Sequence, residues 1–280
     1  MKIVFYIRAL FGDSPITSCD FVNVFRACQN FDLVSKLPLI EYRKKIHEIQ
    51  LSCLKNVSPH IIHNIKETEK HTHTFNCIQP SALNQLLSLD DDDIVIPLDD
   101  DDWVSPEIKD VDFRTSHVTI WNSIEITKNG AYYHKKNTEL PYRTLQKSER
   151  EYNSAIGLLS NCAAFRVSFL KELAVRKPTE TKYPVDLRRC LQLHILPRVI
   201  IREEKYLNRF TETILNNYLS VYVKHLGNVT GTLKKMDSNV LTRQEFESII
   251  FSDKISVDVP DEFLWARPHF DKLNELNCLL

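Results

Sequence analysis

The sequence predicts an α/β fold with a mostly parallel central sheet, flanked by helices and followed by a helical C-terminal extension. Over the first hundred residues, short apolar segments that suit strands alternate with amphipathic segments that suit helices. Residues 94–98 are almost wholly apolar, which is typical of a strand buried on both faces of a parallel sheet. From about residue 211 onward the pattern is helical.

The individual elements follow from these periodicities. In the first half we predict strands over residues 3–7, 59–65 and 94–98, and helices over 18–31, 39–55 and 81–89. The second half is less regular, with predicted strands over 118–126, 130–134, 158–167 and 198–202, and helices over 168–175, 184–196, 213–226 and 242–251. Residues 137–151 are polar, so we expect a long surface loop or lid there, and the chain ends in a final helical turn or two.

The composition excludes several classes of nucleotide site. Only 5 of the 280 residues are glycine, whereas about 20 would be expected at the usual share of roughly 7%. The glycines are scattered, so neither a dinucleotide fingerprint nor a P-loop can be built. The 36 Lys and Arg balance 37 Asp and Glu, and a net charge of -1 gives no basic field for nucleic acid.

The sequence also favours a cytoplasmic protein. Its apolar runs are too short for a membrane span, and Arg8 interrupts the N-terminal one, so a first strand is predicted there rather than a signal peptide. The seven cysteines are an odd number with no C-x-x-C pair. Reduced thiols are therefore expected, without a disulfide framework or a zinc site.

Two runs of four aspartates flank the apolar strand predicted over 94–98. The first acidic run, residues 90–93, joins a helix to this strand, and we interpret it as solvated loop charge. The second acidic run, residues 99–102, follows the strand directly and precedes Trp103. In open α/β sheets, ligands bind beyond the carboxyl ends of the strands. Because adjacent carboxylates repel one another, and Mg²⁺ prefers carboxylates together with substrate phosphates, the second run predicts a divalent-cation site.

The second acidic run resembles the D-x-D motif of GT-A glycosyltransferases, which hold a nucleotide-sugar diphosphate through a divalent metal. The resemblance covers roughly residues 1–210: a strand ending at Arg8, the helix over 43–54, the L-D-D-D-D run, and S-N-C-A-A-F-R at 160–166. Within this class the chain is most similar to rhamnosyltransferases and to the xylosyltransferase-like enzymes that chlorella viruses encode for capsid glycans. The resemblance implies a GT-A, Rossmann-like fold and a protein of the host cytoplasm.

The resemblance also implies roles for individual residues. Asp101 would ligate Mn²⁺ or Mg²⁺, Asp99 would contact the donor ribose or the metal, and Asp102 would support both. Arg8 would lie near the nucleotide base and phosphates, although a surface ion pair is an equally good reading of that residue. Residues 1–105 would form the donor-binding half of one domain, 106–210 its acceptor-binding and catalytic half, and 211–280 a helical extension.

An inverting transfer also needs a carboxylate base to take the proton of the acceptor hydroxyl. Enzymes of this class often place it before a helix and an arginine, and Asp186, followed by Arg188 and Arg189, fits that outline. Val185 stands where a second acidic residue is usual, and Asp186 is equally suited to a helix N-cap. The weaker candidates for the base are Glu149, Glu151 and Glu180.

The remaining candidates are histidines and aromatic residues. A histidine from the C-terminal part could complete the metal site, and the candidates are His194, His225 and His269. Five aromatic side chains could stack on a sugar, although core packing is the commoner role for each: Trp103, Trp121, Tyr132, Tyr133 and Tyr142.

The expected activity is metal-dependent, inverting transfer of a sugar from a UDP-sugar to a hydroxyl of a glycan or glycoprotein. Xylose is the first expectation for the donor sugar and rhamnose the second. Two other functions remain open: a Mg²⁺-dependent phosphatase or nucleotidyltransferase, and a non-enzymatic Ca²⁺-dependent glycan-binding module. No D-x-D-x-[TV] signature lies on the first strand, which disfavours an aspartyl phosphatase.

Overall fold

The structure is a computed structural model that describes residues 1–10, 37–66, 80–127, 130–134, 162–175, 211–223 and 261–277. The strands in these ranges are β1 (Ile3–Leu10), β2 (Ile61–Lys66), β3 (Ile94–Asp99), β4 (Trp103–Val104), β5 (Val118–Thr127), β6 (Gly130–His134), β7 (Ala163–Arg166) and β8 (Glu212–Val223). The α-helices are α1 (Leu39–Lys55), α2 (Pro80–Leu87), α3 (Val167–Val175) and α4 (Arg267–Asn277). Short 3-10 segments lie at Pro106–Asp110, Phe113–Thr115 and Asp261–Ala266.

The eight strands form one mixed sheet. Their order is β2-β1-β3-β7-β5-β8-β4, and β6 pairs with β5 outside this path. β1 is parallel to both β2 and β3, and β5 is parallel to β8, while the remaining pairs are antiparallel. The predicted α/β fold class is therefore confirmed. The strands predicted over 3–7, 59–65, 94–98, 118–126 and 130–134 and the helices predicted over 39–55, 81–89 and 168–175 are found within three residues of their expected bounds. Of the strand predicted over 158–167, the described part is β7, and β4 was not predicted.

Helices cover both faces of this sheet. The first face, with Tyr6 and Val95, packs against α2 and α3 through residues such as Leu86 and Phe169. The second face, with Phe5, Ile7, Ile96 and Leu98, packs against the end of α1 and the 3-10 segments at Pro106–Asp110 and Phe113–Thr115. α4 then packs against α1. Alternation of side chains along β1 and β3 thus assigns successive residues to opposite layers.

Pro97 marks the point at which β3 loses one of its neighbours. β7 pairs with β3 only at Ile94 and Val95, whereas β1 follows β3 as far as Asp99. The N–H of Ile94 donates to the carbonyl oxygen of Lys2, on the β1 side of β3. Because the backbone N–H groups of successive strand residues point to opposite sides, the nitrogen of residue 97 faces the β7 side. A proline is tolerated there because no strand needs its missing N–H. The carboxyl end of β3 is therefore paired on one side only among the described strands.

The predicted helix over 213–226 is wrong. Residues 212–223 form β8, which runs parallel to β5 inside the sheet and also pairs with β4. The segment is rich in β-branched and aromatic residues that favour strands, among them Thr213, Ile214, Tyr218 and Val221. The start of the predicted helical extension therefore belongs to the sheet, while its described end, Asp261–Ala266 and α4, is helical.

Other predicted elements lie outside the described residues. They are the helices over 18–31, 184–196 and 242–251, the strand over 198–202 and the loop over 137–151. The division into donor-binding, acceptor-binding and C-terminal segments stays a prediction.

Candidate functional site at the carboxyl end of β3

A row of polar side chains crosses the parallel strands where they end. Arg8 on β1 is in register with Asn64 on β2 and with Asp99, the last residue of β3. Arg8 Nη2 donates to Asp99 Oδ1 at 2.6 Å, and the two side chains are only 10% and 20% exposed. Asn64 is buried beside them. The structure thus brings together two predicted site residues and adds Asn64, whose signal was a polar residue within an apolar strand.

The second acidic run forms a tight turn after β3. The backbone N–H of Asp99 donates to Asp102 Oδ2 at 3.1 Å, and that of Asp102 to the carbonyl oxygen of Asp99 at 3.4 Å. Asp101 and Asp102 are buried, whereas Asp99 and Asp100 are partly exposed. The N–H of Asp99 faces the side on which β7 pairs with the start of β3, and the carboxylate of Asp102 accepts it there in place of a strand.

Helix α1 supports this turn through polar residues on successive turns. Gln50 Nε2 donates to the carbonyl oxygens of Asp99 at 2.5 Å and of Asp102 at 2.8 Å. His47 Nδ1 lies 2.9 Å from Gln50 Oε1, and Arg43 interacts electrostatically with Asp100. Sequence reasoning missed these residues, although their spacing of four and three is the signal of a common helix face.

Electrostatic repulsion within the second acidic run is strong. Burial and repulsion from Asp101, opposed by the charge of Arg43, together raise the pKa of Asp100 to about 7. Burial also raises the pKa of Asp102 well above its usual range, with repulsion from Asp101 and Asp99 adding to it. A bound cation would relieve this repulsion.

The donor set suits a cation held jointly with a ligand. Carboxylate oxygens are the groups that Mg²⁺ and Mn²⁺ prefer, and one or two of them suffice when substrate phosphates supply the rest. Within the described ranges, no three His, Cys, Asp or Glu side chains are grouped to hold a metal ion. Within the described residues, the carboxylates of the second acidic run therefore fit a cation whose remaining ligands come from elsewhere.

Two of the predicted aromatic contacts are core residues. Trp103 and Trp121 are buried, and Trp121 Nε1 donates to Ser220 Oγ at 2.7 Å. Core packing, the commoner role expected of each aromatic residue, is therefore confirmed for Trp103 and Trp121, and neither ring is open to a sugar. Tyr132 and Tyr133 belong to β6 and their role stays a prediction, while Tyr142 lies outside the described residues.

His269 on α4 packs against the ring of Trp103, with 5.5 Å between ring centroids. Burial lowers its pKa, and Lys272 lowers it further. His269 belongs to no metal-binding group of the described residues, so its role as a metal ligand stays a prediction. The alternatives His194 and His225 lie outside the described residues, as do Asp186 and the weaker candidates Glu149, Glu151 and Glu180.

The first acidic run is only partly solvated loop charge. Residues 90–92 are exposed, but Asp93 is buried and accepts the backbone N–H groups of Lys2 at 2.7 Å and of Asp90 at 3.1 Å. The interpretation of this run as solvated charge is wrong for Asp93, because its carboxylate fixes the loop that enters β3 to the start of β1.

Two further sequence predictions concern thiols and membranes. Cys53 and Cys162 are both buried, and burial raises the pKa of the Cys53 thiol to about 11. The reduced state of the thiols stays a prediction. Among the described helices, none combines the length and apolar character needed to cross a bilayer.

Comparison with known proteins does not assign a family. No family model matches the sequence, and no curated protein matches it. Among solved structures, the chain is similar to residues 1–349 of S. aureus TarS in complex with UDP-GlcNAc. The sequence identity is 14%, the match covers 99% of this chain and 80% of the other, and the TM-score is 0.37. A TM-score of this size is too low to support an assignment of function.

Proposed function

We propose that the chain is a metal-dependent, inverting glycosyltransferase that moves a sugar from a UDP-sugar to a hydroxyl group of a glycan or glycoprotein. The observation that carries the proposal is the contact between Arg8 and Asp99 at the carboxyl ends of adjacent parallel strands. It joins a cationic group to a run of carboxylates at the edge where α/β sheets bind ligands. The sequence resemblance to the D-x-D motif names the ligand as a nucleotide diphosphate.

Charge supports a division of roles on the donor side. Asp99 and Asp101 would hold Mn²⁺ or Mg²⁺ together with the diphosphate, and the metal would supply stabilisation of the negative charge that develops on the leaving group. Arg8, already held by Asp99, would place its guanidinium toward the same phosphates. Asp102 would keep the turn in shape, because one of its oxygens accepts the N–H of Asp99.

The acceptor side rests on Asp186. Its carboxylate would take the proton of the acceptor hydroxyl as the hydroxyl oxygen bonds to the anomeric carbon. The bond from that carbon to the diphosphate breaks in the same step, and attack from the face opposite the leaving group inverts the configuration. The resemblance favours xylose as the donor sugar, then rhamnose, and a cytoplasmic, capsid-glycan type of pathway.

A donor panel tests the proposal. The chain would be incubated with UDP-xylose, UDP-rhamnose, other UDP-sugars and GDP-sugars in Mn²⁺, and release of the nucleoside diphosphate would be measured. We expect metal-dependent release from one UDP-sugar, with xylose first in the order of rates. Release of sugar 1-phosphate would indicate transfer of the nucleotidyl group, and hydrolysis of added UDP to inorganic phosphate would indicate a phosphatase. No turnover with any donor would contradict the proposal.

The base is tested by Asp186→Asn, which keeps the shape of the side chain but cannot take a proton. We expect UDP-sugar affinity to be unchanged and transfer to fall by about a thousandfold. Asp110→Asn, at an exposed aspartate in a 3-10 segment, is the matched control and should leave transfer unchanged. An Asp186→Asn variant with full activity would show that Asp186 is not the base.

A further inference from the structure

Gln50 is a fully buried polar residue on the face of α1 that meets the second acidic run. Its amide nitrogen donates to the carbonyl oxygens of Asp99 and Asp102, which are the first and last residues of that run. One side chain therefore ties together both ends of the turn that carries the carboxylates. Both amide hydrogens are used, so no alternative donor on Gln50 remains to replace a lost bond.

The contacts also fix the orientation of this amide. A backbone carbonyl can only accept, so the end of the Gln50 amide that faces the turn must be the nitrogen. Its oxygen then faces His47 Nδ1 at 2.9 Å, and that nitrogen must carry a hydrogen. His47 thereby holds Gln50 in the one orientation that serves the turn.

Among the described strands, only β1 borders the carboxyl end of β3, so the turn depends on support from α1. Beyond Pro97, β3 keeps β1 as a neighbour but not β7. The carbonyl oxygens of Asp99 and Asp102 would lose a buried donor if Gln50 were absent, and an unsatisfied buried carbonyl is costly.

We propose that Gln50 is a positioning residue for the donor site, and that His47 sets its orientation. Gln50 would act through the backbone of Asp99 and Asp102 and hold the carboxylates of the second acidic run at the spacing that a diphosphate-bound cation requires. This role rests on the proposed function, but the rigidity that it predicts in the turn can be measured without any ligand.

Amide hydrogen exchange, resolved to single residues, tests the structural step. The variant Gln50→Met keeps the length of the side chain and removes both donors, while Gln50→Glu keeps its shape and removes the same donors. We expect exchange at the N–H groups of Asp99 and Asp102 to become about tenfold faster, which corresponds to the loss of one ordinary hydrogen bond. The N–H of Ser105, which donates to Leu219, should exchange at its original rate and serves as the internal control.

Matched variants separate a local effect from a general loss of stability. Gln85→Met changes an exposed glutamine on α2 and should leave exchange in the turn unchanged. His47→Leu should reproduce part of the Gln50→Met effect. His47→Asn should restore slow exchange, because an asparagine amide can donate where Nδ1 does. The exposed His60 gives the control variant His60→Asn.

The functional step is read from kinetics of the folded variants. A positioning residue predicts that Gln50→Met raises KM for the UDP-sugar about tenfold and changes kcat by less than about threefold, with recovery in His47→Asn relative to His47→Leu. If Gln50 had only a structural role, Gln50→Met would lower the melting temperature and leave KM unchanged, and that result would overturn the inference.

The failure of this inference can be told apart from failure of the proposed function. Unchanged exchange at Asp99 and Asp102 would overturn the role of Gln50, while turnover of a UDP-sugar by the native chain would still uphold the proposed function. If the native chain turns over no UDP-sugar, the proposed function and the donor-site role fail together, and accelerated exchange alone would leave Gln50 a structural support of the turn.

Discussion

Two runs of four aspartates flank the same strand, yet they do different things. The first acidic run, residues 90–93, leads into β3, exposes three of its four side chains and uses Asp93 to fix Lys2 at the start of β1. The second, residues 99–102, leaves β3 at its carboxyl end, lies against α1 and contacts Arg8 through Asp99. Four aspartates therefore form a loop before β3 and, after β3, a turn whose carboxylates repel one another. Position in the sheet, rather than composition, separates them.

The largest effect should come from removing a carboxylate of the second acidic run. Asp101→Asn deletes a charge that we assign to the metal, so we expect kcat/KM for the UDP-sugar to fall at least about a hundredfold. Asp92→Asn makes the same change in the first acidic run, at an exposed residue, and should leave kcat/KM unchanged. Equal losses in the two variants would remove the distinction between the runs.

Arg8 tests whether the contact with the second acidic run serves a ligand. Arg8→Met keeps much of the length of the side chain but removes the charge beside Asp99. We expect KM for the UDP-sugar to rise by about ten- to thirtyfold, as a charge-assisted contact to phosphate is lost. Steady-state kinetics measure this, and Arg8→Lys should recover part of the loss. An unchanged KM in Arg8→Met would show that the ion pair between Arg8 and Asp99 has a structural role only.

Asp93 tests the opposite role. Asp93→Ala leaves two backbone N–H groups without their buried acceptor, so we expect the free energy of unfolding to fall by about 2 kcal/mol. Chemical denaturation measures it, with Asp92→Ala as the control that should change stability by less than about 0.5 kcal/mol. The remaining folded protein should keep its KM. A raised KM would show that the first acidic run also serves the ligand site.

The smallest effect is a dependence of stability on pH. Because the pKa of Asp100 is raised to about 7 in the folded protein, the folded state binds more protons than the unfolded state between about pH 4 and pH 7. The contribution of Asp100 to stability is therefore lost as pH rises through that window. Asp100→Asn should be more stable than the native chain at pH 8 by about 1–2 kcal/mol, and the difference should vanish near pH 4. Thermal unfolding at several pH values checks the sign; a native chain that is the more stable one at pH 8 would contradict it.

Much of the fold could be predicted because its elements have clear periods. Helix α1 spans the predicted residues 39–55, and β3 extends its predicted strand by a single residue. β8 was missed because Thr213–Val223 has no strict alternation. Its β-branched and aromatic residues favour a strand, but pairing with β5 is what fixes it. Local sequence cannot report such long-range pairing.

The site was predictable in kind but not in its contacts. Arg8 and Asp99 were both candidates, yet only the parallel register of β1 and β3 shows that they meet. Gln50 and His47 were missed, since a buried polar pair on an amphipathic helix has no motif and is recognised only by what it touches. Asp93 was misread for the same reason: its partner, the N–H of Lys2, lies 91 positions away in the sequence.

The most direct test of the proposed donor site is a calorimetric titration of the native chain and of Asp101→Asn with UDP, each in the presence and absence of Mn²⁺. We predict that UDP binds the native chain tightly only when Mn²⁺ is present, and that Asp101→Asn loses this Mn²⁺-dependent binding while Asp92→Asn keeps it. Equal UDP affinity with and without Mn²⁺, or full affinity in Asp101→Asn, would contradict a metal-bridged diphosphate at the second acidic run.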